Sequence, residues 1–458
     1  MIKRFIFSAI ALGIFIFLAP GIMLAQRITL HFPYFAGQQY DFLLMRGEST
    51  DTVQSGTLPS DGRLVLELPE SRKGYAGMVR WLLRSGGGLD MVWNGEHFSV
   101  ECLSATPSEE NIVFTGSVEN PFLNKNFREQ ELLLAQFEAM DLAIKAYPPE
   151  ASMYATFEAE RERLKTAFAT FQKDLSASNL YAARFREIVN FTRGITPMLG
   201  PSEAARTGLA DDFLSRKMSW EALYTSNHWG GVIYSWVQLH LYGIKSDTAL
   251  LGSAKRILQR ISDREQYTAF CDRMAYYFVK NSKDSLLAAL APDIRSSGKL
   301  LRFDGLLAQF NAVQPGEQAP DIQVQEGFVA GGTLKSRTRL LTPGELSQQG
   351  TVLVFYQSGC GPCETTMQQM IANYSLLKKN GFRVISIAAD QDLALFEETA
   401  KDHPWPDKYC DGKGFEGPNF KNYGVAGTPT LFFVDGKGKV RTRAGGLPEI
   451  LVWLENNN

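Results

Sequence analysis

The chain has 458 residues, 45% of them apolar and 21% charged, with a formal net charge of −2. That length exceeds one ordinary core and implies roughly two to four domains. The near-neutral charge and the lack of a long basic run argue against nucleic acid or a membrane surface as partner. Five cysteines are too few for a disulfide framework.

Residues 1–25 begin with Met1-Ile2-Lys3-Arg4, continue as an apolar run from Phe5 to Leu18 that Pro20 and Gly21 break, and end at Ala25. This is the layout of a secretory signal peptide cleaved after Ala25, which places the body of the chain in the periplasm. Phe5 to Ala25 is also near the ~20 residues that span a bilayer, so the segment would anchor the chain to a membrane if it stayed uncleaved. Residues 26–118 read as β-rich. Ile28–Phe32, Arg63–Leu68 and His97–Leu103 alternate, with turn signals at Ser60-Asp61-Gly62, Ser85-Gly86-Gly87-Gly88 and Asn94-Gly95 between them. A small antiparallel sandwich or barrel fits this pattern.

Residues 119–312 change to a helical period. Glu131–Met140 and Phe157–Leu175 are clear segments, and further helices are expected over Trp220–Tyr242, Leu250–Ile261 and Asp263–Asn281. Trp220, Trp229, Tyr234, Trp236 and Tyr242 are read as helical core, with a binding groove as the other possibility. From Gln314-Pro315-Gly316 onward the order becomes strand, helix, strand, helix, two strands and a helix. Val352–Tyr356 is the first strand and a helix follows it to about Lys379. Phe382–Ala388 and then Gln391–Lys401 come next. Thr430–Asp435 and Lys439–Arg443 form a hairpin, and Leu447–Glu455 closes the region.

Between the first of these strands and its helix lies Ser358-Gly359-Cys360-Gly361-Pro362-Cys363. Two cysteines at this spacing can close a small disulfide ring and reopen it, which moves two electrons between thiols. At a helix N-terminus, unpaired N–H groups and the helix dipole favour an anion. Cys360 is therefore expected to be the attacking thiolate and Cys363, one turn further in, the resolving thiol. Pro362 near the helix start gives up no needed N–H.

This order of elements around Cys-Gly-Pro-Cys resembles the thioredoxin fold, over residues 315–458. Gly316-Glu317-Gln318-Ala319-Pro320-Asp321 is similar to the lead-in of exported thioredoxin-like proteins of the TlpA type, and Gly427-Thr428-Pro429-Thr430 to the Thr-Pro such domains carry in cis. The resemblance implies a thiol–disulfide oxidoreductase with catalytic Cys360 and Cys363, the pair forming the redox-active disulfide. It implies that Thr428 and Pro429 shape the substrate groove. The implied partners are protein thiols and disulfides with an electron donor the sequence does not name; no metal and no cofactor are required. The β segment ahead of a helical middle also resembles a layout of exported thioredoxin-like proteins of Bacteroidetes. Many relatives carry Trp where Gly359 stands, thioredoxin itself has a buried carboxylate where Val354 stands, and relatives of the TlpA type often have an acid where Thr366 stands. The proton-transfer partner is thus unassigned.

The fold expected is multidomain: an N-terminal β-sandwich-like domain, an α-helical middle domain and a C-terminal α/β thioredoxin-like fold. An exported thiol–disulfide oxidoreductase that reduces disulfides of envelope proteins is the leading function. A binding or scaffold protein with a vestigial redox domain is the alternative, and a thiol peroxidase of the same fold is the third. The Pro-x-x-x-Thr-x-x-Cys pattern of peroxidases fits none of Cys360, Cys363 and Cys410. His403 and Cys410 do not have zinc spacing. Cys410 is read as a shielded free thiol or an auxiliary one, and Cys102 and Cys271 as core residues.

Overall fold

A computed structural model describes residues 27–330, 333–342, 345–346 and 349–457. The expected signal segment and its cleavage point lie outside the described residues. No described helix is long and apolar enough to cross a membrane.

Two compact units partition the chain, one holding 27–45, Thr50–Glu131 and Leu180–Ala182, the other holding Arg46–Ser49, Leu132–Asn179 and 183–457. Eight strands come first: β1 (Arg27–His31), β2 (Gln39–Arg46), β3 (Ser49–Thr57), β4 (Arg63–Glu67), β5 (Ala76–Leu83), β6 (Gly88–Asn94), β7 (Phe98–Glu101) and β8 (Val113–Thr115). They form two four-stranded sheets in the orders β4-β1-β7-β8 and β3-β2-β5-β6. Strand alternation sends Ile28 and Leu30 from β1, and Tyr40, Phe42 and Leu44 from β2, into one apolar cluster. Cys102 is fully buried there, just past β7.

Nine α-helices follow: α1 (Glu119–Ala146), α2 (Tyr154–Ala177), α3 (Tyr181–Thr192), α4 (Glu203–Asp212), α5 (Trp220–Tyr224), α6 (Trp229–Gln238), α7 (Asp247–Arg260), α8 (Arg264–Lys280) and α9 (Asp284–Ser297). Side-chain caps start several of them. Ser246 accepts from the Ala249 N–H ahead of α7, and Asp263 from Glu265 and Gln266 ahead of α8. Trp220–Tyr242 is not one helix. Asn227 takes a left-handed φ of 66° between α5 and α6, a conformation asparagine tolerates. After α6 the chain widens into a π turn over Leu239–Ile244, and a second π turn follows α4 at Phe213–Lys217. Trp220, Trp229 and Trp236 pack around Phe270 as core, whereas Tyr234 and Tyr242 are exposed.

The last region begins with an antiparallel hairpin, β9 (Ile322–Ala330) and β10 (Thr333–Leu341). Then come β11 (Thr351–Tyr356), α10 (Gly361–Lys379), β12 (Arg383–Ala388), α11 (Leu393–Ala400), β13 (Asp407–Cys410), α12 (Pro418–Tyr423), β14 (Thr430–Val434), β15 (Val440–Ala444) and α13 (Leu447–Asn457). The sheet order is β13-β12-β11-β14-β15, with β11, β12 and β13 parallel and β14 and β15 antiparallel. The sequence reading omitted the β9–β10 hairpin, β13 and α12. β13 is a four-residue edge strand whose side chains are all half-buried, so it lacks an apolar alternation to detect.

All six residues of β11 are buried. Val352, Val354 and Tyr356 face the cluster that holds Cys363, Met367 and Met370 of α10 and Ile450 of α13. Leu353 and Phe355 face the other, with Phe420 and Tyr423 of α12. Burial on both faces makes β11 a continuous apolar run and clamps its C-terminal end, where the cysteine loop begins. Ala319 of the lead-in is buried and ties to the β14–β15 turn through its N–H on the Gly438 carbonyl at 2.8 Å.

Candidate active site

Between β11 and α10 the chain must turn from a buried strand into a helix. Gly359 makes that turn at φ +74°, with open space where a side chain would start. Cys360 then stands at the N-cap of α10 with extended backbone, and its carbonyl accepts the Glu364 N–H at 2.9 Å. Pro362 occupies the first turn, as its missing N–H permits. Cys360 is half-buried and Cys363 fully buried, and both are free thiols.

One helical turn separates the two thiols and gives them different surroundings. Burial pushes the Cys363 thiol up, and the adjacent Cys360 pushes the same way. Hydrogen bonds from the Thr428 side chain and the Gln357 backbone oppose this by favouring the thiolate. Thr428 precedes Pro429 through a cis peptide bond at the start of β14, and Thr430 pairs with Phe355 of β11. The sheet thus brings Thr428 onto Cys363 across about 65 residues of sequence. Thr428 and Cys360 thus both adjoin Cys363, and Pro429 follows Thr428 in the chain.

Val354 lies in the apolar cluster with Cys363, Thr366 is buried, and Glu364 is exposed. A buried carboxylate reaches the loop from elsewhere. Asp390, just past β12, is 3% exposed; its Oδ1 accepts the Ser358 N–H at 2.9 Å and its Oδ2 the Ser358 hydroxyl at 2.6 Å. It pins the loop two residues before Cys360. Sequence reasoning passed over Asp390. The available signal was an acid directly after a buried strand, because sites in parallel sheets collect at the strands' C-terminal ends.

Beneath the loop, burial raises the Tyr356 phenol, and the charges of Asp390 and Cys410 add to that. Its hydroxyl and the Nδ1 of His403 have no hydrogen-bond partner among the described residues. Their rings lie 5.5 Å apart, and burial lowers the His403 pKa. Cys410 on β13 is half-buried, its thiol raised by burial and its Sγ 3.2 Å from the Asp390 carbonyl. Cys271 is fully buried in α8.

The AhpC/TSA family pattern matches residues 315–443. Bovine (Bos taurus) nucleoredoxin is 29% identical over 153 residues, which is 33% of this chain and 35% of the relative. This chain therefore spans about a third of that relative's length. Thiol-disulfide oxidoreductase ResA of Bacillus cereus is 26% identical over 138 residues, 30% of this chain and 73% of the relative. Among solved structures, a putative thiol:disulfide interchange protein DsbE from Chlorobium tepidum is 25% identical, covering 32% of this chain and 95% of that one, at a TM-score of 0.25. A thiol-disulfide oxidoreductase from Bacteroides fragilis is 23% identical, covering 31% and 100%, also at 0.25. The C-terminal region that carries Cys360 and Cys363 is a thioredoxin-like domain of the AhpC/TSA family.

Proposed function

We propose that this chain is an exported thiol–disulfide oxidoreductase that reduces disulfides of envelope proteins through Cys360 and Cys363. The observation that carries the reading is the unequal pair: a half-buried thiol at a helix N-cap, and a buried thiol one turn behind it in contact with Thr428. The Cys360 thiolate attacks one sulfur of the substrate disulfide; a Cys360–substrate disulfide forms and the other substrate sulfur leaves as a thiolate. Cys363, once deprotonated, attacks Cys360 Sγ and releases the second substrate thiolate. The two electrons have passed from the pair to the substrate, the two cysteine protons end on the substrate thiols, and a Cys360–Cys363 disulfide remains. An external dithiol resets it. Thr428 and Pro429 flank the groove in which the substrate strand lies.

Export rests on the layout of residues 1–25. With that segment cut after Ala25 the chain works in the periplasm; uncut, it would be tethered to the membrane. The domains are taken as 26–118, 119–312 and 315–458, and the first as a β-sandwich, because its two four-stranded sheets share one core. Equilibration of the full chain against a series of dithiol buffers tests the chemistry. Reversible oxidation of the pair and turnover of a model disulfide, both lost in Cys360→Ser, are expected. A pair locked in one state at every potential would overturn the reading.

A further inference from the structure

A cleft of about 660 Å³ opens among α2, α3, α4 and the two π turns, in residues that carry no cysteine. Its volume is that of a small-molecule site, where an apolar lining holds the body of a ligand and a few polar groups fix its orientation. Phe191, Ile195, Leu209, Phe213 and Leu239 line it, and each is only half-buried. These side chains leave apolar surface in contact with water, and a ligand body that covered it would be favoured. Phe213 and Leu239 come from the two π turns. Such widened turns interrupt a helix at a cost and recur at functional sites.

The charges on the cleft wall select among ligands. Lys173, Arg184, Arg206, Lys217 and Glu187 are its ionised residues. Glu187 is already neutralised by Arg184 at 2.7 Å and takes the Ser176 hydroxyl at 2.8 Å, and Lys217 pairs with Asp212 at 2.7 Å. No carboxylate pairs with Lys173 or Arg206 among the described residues. An occupied cleft would thus present an apolar interior and two uncompensated cations.

We propose that this cleft binds an amphipathic anion, a molecule with an aliphatic body and one carboxylate-type head group, with Lys173 and Arg206 holding the head. A cationic amphiphile would meet repulsion there, and a bare inorganic anion would leave the apolar wall wet. The site is separate from the thiol pair, so its occupancy does not depend on the redox reading.

Titration calorimetry of the full-length chain with dodecanoate, dodecanol and dodecyltrimethylammonium, each below its micelle concentration, tests this. Dodecanoate is expected to bind at one site per chain. Lys173→Glu and Arg206→Glu each weaken it by about tenfold, as attraction becomes repulsion. Leu209→Trp, which fills the cleft, removes binding. Both charge reversals are at exposed positions and leave the folded core intact. Dodecanol or dodecyltrimethylammonium binding as tightly as dodecanoate, no dodecanoate binding, or unchanged affinity in both charge-reversed variants would each overturn the proposal.

Discussion

β11 and α4 belong to the same compact unit yet bury their residues in opposite ways. All six residues of β11 are buried, and α4 has no fully buried residue among its ten. A strand fixed on both faces delivers the next loop to a defined position, which suits a reaction that needs two sulfurs aligned. A helix that leaves its apolar side chains half-covered leaves a volume instead. Tight packing in one region thus fixes the cysteine loop, and loose packing in the other leaves a cleft.

Replacing Cys360 gives the largest effect on the reactive side. Cys360→Ser keeps the shape of a half-buried N-cap residue and is expected to abolish turnover of a model disulfide while thermal unfolding stays unchanged. Cys363→Ser should instead accumulate a mixed disulfide at Cys360, visible as an added mass that dithiol removes. Residual turnover in Cys360→Ser would place the attacking thiol elsewhere, and Cys410 would be the next to test.

Gly424 tests whether the helical segment is firmly seated against the thioredoxin-like region. It ends α12 at φ +62°, and a methyl group there would meet the Ala312 backbone at 2.2 and 2.3 Å. Backbone cannot swing aside as a side-chain tip can. Gly424→Ala should therefore cost more than about 3 kcal/mol in denaturant unfolding. Gly359→Ala, with a similar φ but open space, should cost only about 1–2 kcal/mol. Equal costs would mean that the 312–424 contact does not bear load.

The thiol pair and the Thr-Pro were readable in the sequence because their information is local: a spacing, a proline, a preceding apolar run. Asp390 was legible only in part: an acid after a buried strand is a local signal, but its partner Ser358 is set by β12 lying beside β11, a pairing that sequence spacing does not reveal. The same holds for β5, whose residues Met78–Leu83 are nearly all apolar and blur the period of two. The break at Asn227 was missed for a different reason. The apolar helical pattern of Trp220–Tyr242 runs straight across a turn set by one backbone angle.

Asp390 is next in size. Asp390→Ala removes both hydrogen bonds that its carboxylate accepts from Ser358, one from the backbone N–H and one from the hydroxyl, and should cost about 2 kcal/mol. A loosened loop should slow attack by Cys360 several-fold without moving its pH profile. A shifted profile would make Asp390 a proton donor or acceptor rather than an anchor.

Alkali should loosen the same unit through groups that only the unfolded chain can ionise. Burial pushes Cys271 well above the ordinary thiol range and holds Tyr267 and Tyr409 at about 12. Above the unfolded values, near 8.5 for a thiol and 10 for a phenol, the folded state keeps protons that the unfolded state has lost. The unfolded state then binds fewer protons, so stability falls as pH rises. The loss starts just above about pH 8.5 and continues to about 12. Unfolding midpoints that stay level from pH 8 to 11 would contradict the burial of these groups.

Thr428 gives the smallest effect and separates a chemical from a structural role. Its side-chain hydrogen bond favours the Cys363 thiolate against the upward push of burial. Without the hydroxyl, in Thr428→Val, the Cys363 pKa rises further and a smaller fraction is ionised at neutral pH. The resolving step scales with that fraction. One hydrogen bond of about 1 kcal/mol therefore corresponds to a several-fold slower resolution at pH 7. The deficit should shrink as pH climbs, because both proteins approach full ionisation of Cys363, and Thr428→Ser should restore the rate. A deficit of constant size across the pH range would assign Thr428 to substrate alignment alone and leave Cys363 to ionise without its help.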